Sequence, residues 1–481
     1  MQGFFGSFKG IAAVAVFGAM VWSGAVQPAG AQTPGGQQPA QAEKKLKDQG
    51  EYDIYNEVLK DLNPQSPNYP KAITDLDTWK QKYPDSEYKD DRLYDYVQAY
   101  NGANQPAKVL EIAQQLMQKD IKATFKDPKV VIGFLYLTSL AITRLPNPAQ
   151  DQLQVSSNAA RQLLDFIPSY FTAANKPAGT DDATWAKTRT DLESVPKAAL
   201  MVVAVTPANQ AMAKTPKDCD TAASLYEKAL RDYPDNAYIA YNLGGALSCI
   251  ARATPAKAGD VFPRAVYEFV RAAVTDPSLG KTADPKVISD YATRAYTNYH
   301  GSEEGLDKLK DAVKQSALPP SGFTIESAQA IATRKQNEFA QSNPQLALWM
   351  GIKSQLADPA NGEQYFEGQL KNAQVPKLKG TVIEGKPACR SKELLVGVPL
   401  PDNPGKLTPE ISLKLDAPLN TKAVSGTEIQ WEGVPSGFTK EPFLLTMDTE
   451  KAKIEGLKTE ACPVTRPPAA GAKKGAGTKK K

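Results

Sequence analysis

Two stretches of this chain carry the same spacing in phase. Ala222, Tyr226, Ala229 and Pro234 recur as Ala265, Phe269, Ala272 and Pro277. Small, large and small side chains at i, i+4 and i+7 share one face of a helix, and a proline five residues later ends it. Between the copies, residues 237–247 (AYIAYNLGGAL) set large apolar residues and the small Gly244 at the intervals one helix needs to nest against another. A lone hairpin of this kind cannot bury its own apolar face, so such units must stack. The feature predicts an array of helix pairs.

The helical period extends well beyond this pair. Tyr52, Tyr55, Val58, Leu59 and Leu62 fall on one face, and Ala72, Leu76, Trp79 and Pro84 repeat the spacing of Ala222 to Pro234. Further helices are expected over residues 107–117, 128–143, 150–167, 285–299 and 303–317. Residues 198–205 form the most apolar stretch after the leader and are expected in the buried core. Asp127-Pro128, Asn147-Pro148, Thr215-Pro216, Asp284-Pro285 and Asn343-Pro344 each place a capping residue before a proline suited to a first turn. Helices near 325–340, 345–356 and 363–370 are expected to close the array, which is assigned residues 44–372.

In the family of tetratricopeptide-repeat proteins the same residue pattern recurs, and this chain resembles that family, in its bacterial exported or envelope variety. The resemblance implies a right-handed α-solenoid whose concave groove binds a protein or peptide partner. Tyr238, Tyr241 and Asn242 match groove-facing positions of the family. Asn242 fits one position of its carboxylate clamp, but Tyr241 and Gly245 stand where the clamp has Lys and Asn. Packing is the other reading of this aromatic stripe.

Near residue 376 the period changes from about 3.6 to 2. Residues 378–383, 394–398, 411–415, 427–431 and 443–447 read as five short strands, with Ile411, Leu413 and Leu415 alternating against Ser412 and Lys414. A five-stranded antiparallel barrel or sandwich is expected over 376–463. Residues 426–433 resemble the fourth strand of an OB-type barrel. That resemblance implies an alternative function, oligosaccharide or oligonucleotide binding, on a face for which Trp431, Phe438, Phe443 and scattered lysines are available.

The flanks argue for export. Residues 1–31 have the form of a secretory leader: Lys9, an apolar run over 11–26, and Ala29-Gly30-Ala31 before Gln32, with no cysteine beside the cut. The run of about 16 residues is short of the roughly 20 that span a bilayer, and an uncleaved anchor is the alternative. Residues 32–43 read as a flexible linker. Export makes disulfides feasible, and pairing Cys219 with Cys249 and Cys389 with Cys462 joins helices expected side by side and the two ends of the strand set; four buried thiols are the alternative. Residues 464–481 form a basic tail too poor in apolar residues to order itself. The formal charge of +4 hides a division: Lys9 and the tail's Arg466, Lys473, Lys474, Lys479, Lys480 and Lys481 leave −3 on the rest. No nucleic-acid partner is expected, while the tail could touch anionic polymer or lipid.

Catalytic signals are lacking. A single histidine, His300, removes every multi-histidine metal site, and its place before Gly301 fits a helix C-terminus. Residues 380–386 match seven positions of a phosphate-binding loop, but Pro387 stands where Ser or Thr belongs and the segment reads as a strand. No catalytic residue, metal or cofactor is expected. The expectation is a mostly α, non-enzymatic interaction scaffold of the envelope with a small β-domain.

Overall fold

The computed structural model describes residues 44–400 and 407–463. The expected leader, linker and basic tail lie outside them. The described residues fall into two compact units, divided between residues 327 and 328.

The first unit is helical: α1 Gln49–Asp61, α2 Tyr69–Lys82, α3 Lys89–Gly102, α4 Pro106–Leu116, α5 Ile121–Thr124, α6 Pro128–Ile142, α7 Gln150–Tyr170, α8 Asp182–Ala213, α9 Cys219–Asp232, α10 Ala237–Ala253, α11 Ala258–Thr275, α12 Pro285–His300 and α13 Leu306–Ala312. Successive long helices pack on one another, and α3 with α6, α6 with α8 and α11 with α13 add contacts across the stack. Every residue of the founding pattern except the two prolines is buried: Ala222, Tyr226, Ala229, Ala265, Phe269 and Ala272. Gly244 is small for a reason. A Cβ there would lie 2.8 Å from the Phe269 ring and 3.1 Å from the Ala265 carbonyl oxygen, so α10 and α11 meet along that line. Cys219 at the start of α9 is disulfide-bonded to Cys249 in α10.

Three of the five proline-marked starts hold. Asp127, Asp284 and Asn343 are N-cap residues, and the first two accept backbone N–H groups. After Asn147-Pro148 and Thr215-Pro216 the helices begin later, at Gln150 and at Cys219, where Asp218 caps. Tyr52 also departs from expectation: it is exposed, and the neighbouring Glu51 is buried instead, accepting the Trp79 indole N–H at 2.8 Å.

Two hydrophobic cores fill this unit, and α8 serves both. Its Leu192, Val195 and Ala199 belong to the first core, and Val205, Ala208 and Ala211 to the second. Residues 198–205, expected in the core, are corrected accordingly: only Ala199 and Val205 are buried, and Leu200 to Ala204 are half-buried. They lie where one core gives way to the next, so neither covers them fully.

The second unit is built on β1 Val375–Lys386, β2 Glu393–Gly397, β3 Ile411–Leu415, the two-residue β4 Lys422–Ala423, β5 Glu428–Lys440, β6 Phe443–Thr449, and the two-residue β7 Ile454–Glu455 and β8 Thr459–Glu460. All five expected strands are present. They close in the order β1-β2-β3-β6-β5-β1, with β7 added along β5. The result is a five-stranded mixed barrel. The antiparallel expectation needs correction, since β3 and β6 run parallel. Parity demands it: directions cannot alternate all the way round a ring with an odd number of strands.

The boundary differs too. Three helical elements precede the strands, α14 Ala328–Ser342, α15 Pro344–Ala357 and α16 Gly362–Tyr365, the last continuing as a π-turn over Phe366–Leu370. Trp349, Ile352, Leu356, Phe366 and Leu370 share one core with Leu378, Val396, Trp431 and Met447. Buried Glu410, just before β3, accepts the Trp349 indole N–H at 3.1 Å and pairs with Lys353, fixing α15 to the barrel. The core around the strands thus begins at Trp349, not at residue 376, and the helices expected to close the array belong to the barrel unit. Cys389, in the β1–β2 connection, is bonded to Cys462 after β8. Among the described residues no helix is long and apolar enough to cross a membrane.

Candidate functional site

Helix α10 carries all three groove residues read from the sequence, in three different situations. Tyr238 is half-buried and hydrogen-bonded to Asn209 of α8, and burial raises its phenol. Tyr241 packs edge-on against Phe269 of α11 at 5.5 Å and against Tyr291 of α12 at 6.0 Å, while Phe269 and Tyr291 meet at 4.8 Å. Asn242 turns back on its own helix, its Nδ2 donating to the Tyr238 carbonyl at 2.8 Å. Tyr241 is therefore the one of the three whose ring borders the next helix of the stack.

The structure adds two residues to this face. On α12, Ile288, Ala292 and Ala295 are buried, but Val287 is 56% and Tyr291 37% exposed. They stand at i and i+4, one turn apart on one side of the helix. Tyr291 counts among the packing positions when the sequence is read alone. Val287 is the legible signal, an apolar residue one place out of phase with the buried stripe. Beside Tyr241, Gly245 faces open space, with no atom within 4 Å of where a Cβ would stand. The adjacent glycines thus divide the work: Gly244 admits α11, and Gly245 leaves a notch. No Asp, Glu, Lys, Arg or His occurs in residues 198–213 of α8 or 237–251 of α10.

Elsewhere the candidate chemistry resolves into structure. Residues 380–386 are strand β1, and His300 ends α12 before Gly301, whose φ of 92° closes the helix; His300 Nδ1 donates to the Glu326 carbonyl at 2.8 Å. Glu57, Asp61 and Asp75 gather closely, but the Lys71 ammonium holds all three at 2.7–2.9 Å and is itself stabilised as a cation by them. Of the barrel aromatics, Trp431 is fully buried, Phe438 packs on Phe366 and Phe443 on Trp349. A shallow cavity of about 350 Å³ beside β3, β5 and β6 is lined by Lys414, Asp416, Glu432, Asp448, Glu450 and Lys453.

Two carboxyl groups of the helical unit are buried and pushed up in pKa. Glu268 is fully buried with neither oxygen hydrogen-bonded, and desolvation raises it well above its usual value against the pull of Arg271 and Arg264. Desolvation, with Asp91 nearby, pushes Asp95 up to about 8. They lie on α11 and α3, beside different cores, and do not converge. Their consequence is for stability: with a folded pKa above that of the unfolded chain, each favours the fold most below about pH 4 and loses that contribution as pH rises through its folded pKa. The Asp95→Asn, Glu268→Gln double variant is expected to flatten the pH dependence of urea unfolding above pH 4, where Asp95 contributes a slope of up to about 1.4 kcal/mol per pH unit as far as about pH 8. Parallel curves for variant and parent would contradict this.

No family model matches the chain, and no curated protein is significantly similar to it.

Proposed function

We propose that the first unit is a tetratricopeptide-type scaffold and that the α10–α12 face binds an apolar segment of a protein partner. What carries the reading is the exposed pair Val287 and Tyr291, with Tyr291 packed against Tyr241 of α10 and the open Gly245 one turn beyond Tyr241 on that helix. Exposed aliphatic and aromatic side chains on neighbouring helices are what a docking segment covers, and the charge-free stretch of α10 beside them favours apolar side chains over a charged polymer. The repeat assignment is supported by the buried pattern residues and by the fit of Gly244 against Phe269. The leader and the two disulfides favour an exported protein acting in the cell envelope. On this reading the protein is a non-enzymatic scaffold, and the packing of Trp431, Phe438 and Phe443 takes from the barrel the stacking face that oligosaccharide or oligonucleotide binding would use.

A photo-reactive phenylalanine analogue at position 291 is expected to cross-link the partner in intact cells. With that partner purified, Val287→Asp and Tyr291→Asp should each weaken binding at least tenfold, and Lys228→Asp, on the exposed side of α9, should leave it unchanged. Equal affinity for all three variants would refute the groove.

A further inference from the structure

The fold makes no use of the glycine at position 245. It lies in the middle of α10, in right-handed helical backbone that any residue adopts, so the freedom glycine has at positive φ serves nothing here. No atom stands within 4 Å of where its Cβ would be, so no neighbour needs the room either. Gly244 differs, since the Phe269 ring and the Ala265 carbonyl oxygen occupy the place of its side chain. Glycine inside a helix destabilises it relative to alanine. At position 245 that cost leaves an open space that nothing in the protein fills.

The border of the space limits what can enter it. Tyr241 and Asn242 stand one turn before Gly245 and Cys249 one turn after it, all half-buried on the same side of the helix. Asn242 Nδ2 already donates to the Tyr238 carbonyl, and Cys249 is bonded to Cys219. Backbone groups in the middle of a helix pair with one another, and residues 237–251 hold no Asp, Glu, Lys, Arg or His. A charged group would lose water here without gaining a partner, whereas an apolar one gains by burial.

We propose, resting on the reading of the α10–α12 face as a groove, that Gly245 selects the bound segment by size: one large apolar side chain, Leu, Ile, Phe or Trp, stands over the bare turn of α10 against the Tyr241 ring. The adjacent glycines then receive two different neighbours, Gly244 a helix of the same chain and Gly245 a residue of another.

A phage-displayed library of random peptides, selected on the full-length protein, supplies the probe. Selected peptides that lose binding to Val287→Asp and Tyr291→Asp are expected to share one large apolar residue at a fixed position. In a synthetic peptide, changing that residue to alanine should weaken binding to the parent at least about tenfold and to Gly245→Leu less than about twofold, because leucine already fills the space. Gly245→Leu should bind the unchanged peptide at least about tenfold more weakly than the parent does. Gly245→Ala should raise the melting temperature of the helical unit by about 2 °C. Equal affinity of the peptide for the parent and Gly245→Leu, with Val287→Asp still weakening it, would overturn selection by size and leave the groove standing. A lower melting temperature for Gly245→Ala would also overturn it, by showing that the fold needs the glycine. If no selected peptide distinguishes the parent from Val287→Asp and Tyr291→Asp, the groove itself falls.

Discussion

Removing the Cys389–Cys462 bridge by a double Cys→Ser substitution is expected to cost the barrel unit about 4 kcal/mol. The two cysteines are 73 residues apart, and a cross-link closing so long a loop removes that much conformational freedom from the unfolded chain in the loop-entropy account. A unit of this size buries only about two-thirds of the surface its unfolded chain exposes, which leaves little reserve. Geometrically the bond ties the end of the strand set to the β1–β2 connection, so without it β8, among the described residues, is paired only with the two-residue β4. Urea unfolding of the full chain, followed by exchange of peptides from 375–460, measures the loss. The helical unit should unfold at its parental midpoint. An unchanged barrel midpoint would show that the residues around Trp349 and Trp431 hold the unit without the bridge.

Arg271→Met is expected to be the most damaging single substitution in the helical unit, at about 3–5 kcal/mol. Arg271 is buried, 5% exposed. Its Nη1 donates to the carbonyls of Val313 and, at 2.9 Å, Ser316, and its Nη2 to the Pro234 carbonyl. One side chain on α11 therefore holds the turn after α9 and the turn after α13, and methionine would leave three carbonyls without that donor. The loss of the nearby positive charge would also make ionisation of Glu268 still less favourable. Thermal melting of the variant gives the cost. A loss below 1 kcal/mol would mean that these turns find other donors.

The extent to which the sequence foretold this molecule follows from what a period can encode. Ala222, Tyr226 and Ala229 announced a helix face because their spacing is local, and Ile411, Leu413 and Leu415 announced a strand in the same way. What a helix packs against is not local. Residues 344–357 were recognisable as helix, but nothing in their spacing says that Trp349 will donate to Glu410, 61 residues on. The parallel β3–β6 pair was hidden for a similar reason, since closure is a property of five strands together. At the candidate site, Tyr238 and Tyr241 could be found from the repeat register. Tyr291 could not, because the same apolar residue serves a core or a surface, and only the position of α11 and α10 beside it decides. The cysteine pairs were legible because helix adjacency and domain ends limited the choice.

Helix α8 gives the array a different kind of unity from that of a chain of like modules. In an ordinary stack each module meets the next at a surface, and the stack can fray from its ends one module at a time. Here 32 residues form a single helix whose first half is a wall of one core and whose second half is a wall of the next. The boundary between the cores runs through continuous backbone, where separation requires breaking a helix rather than parting two faces. Deletions and circular permutations that respect the other helix pairs have no neutral cut within it, and the cores on either side behave as one heritable block.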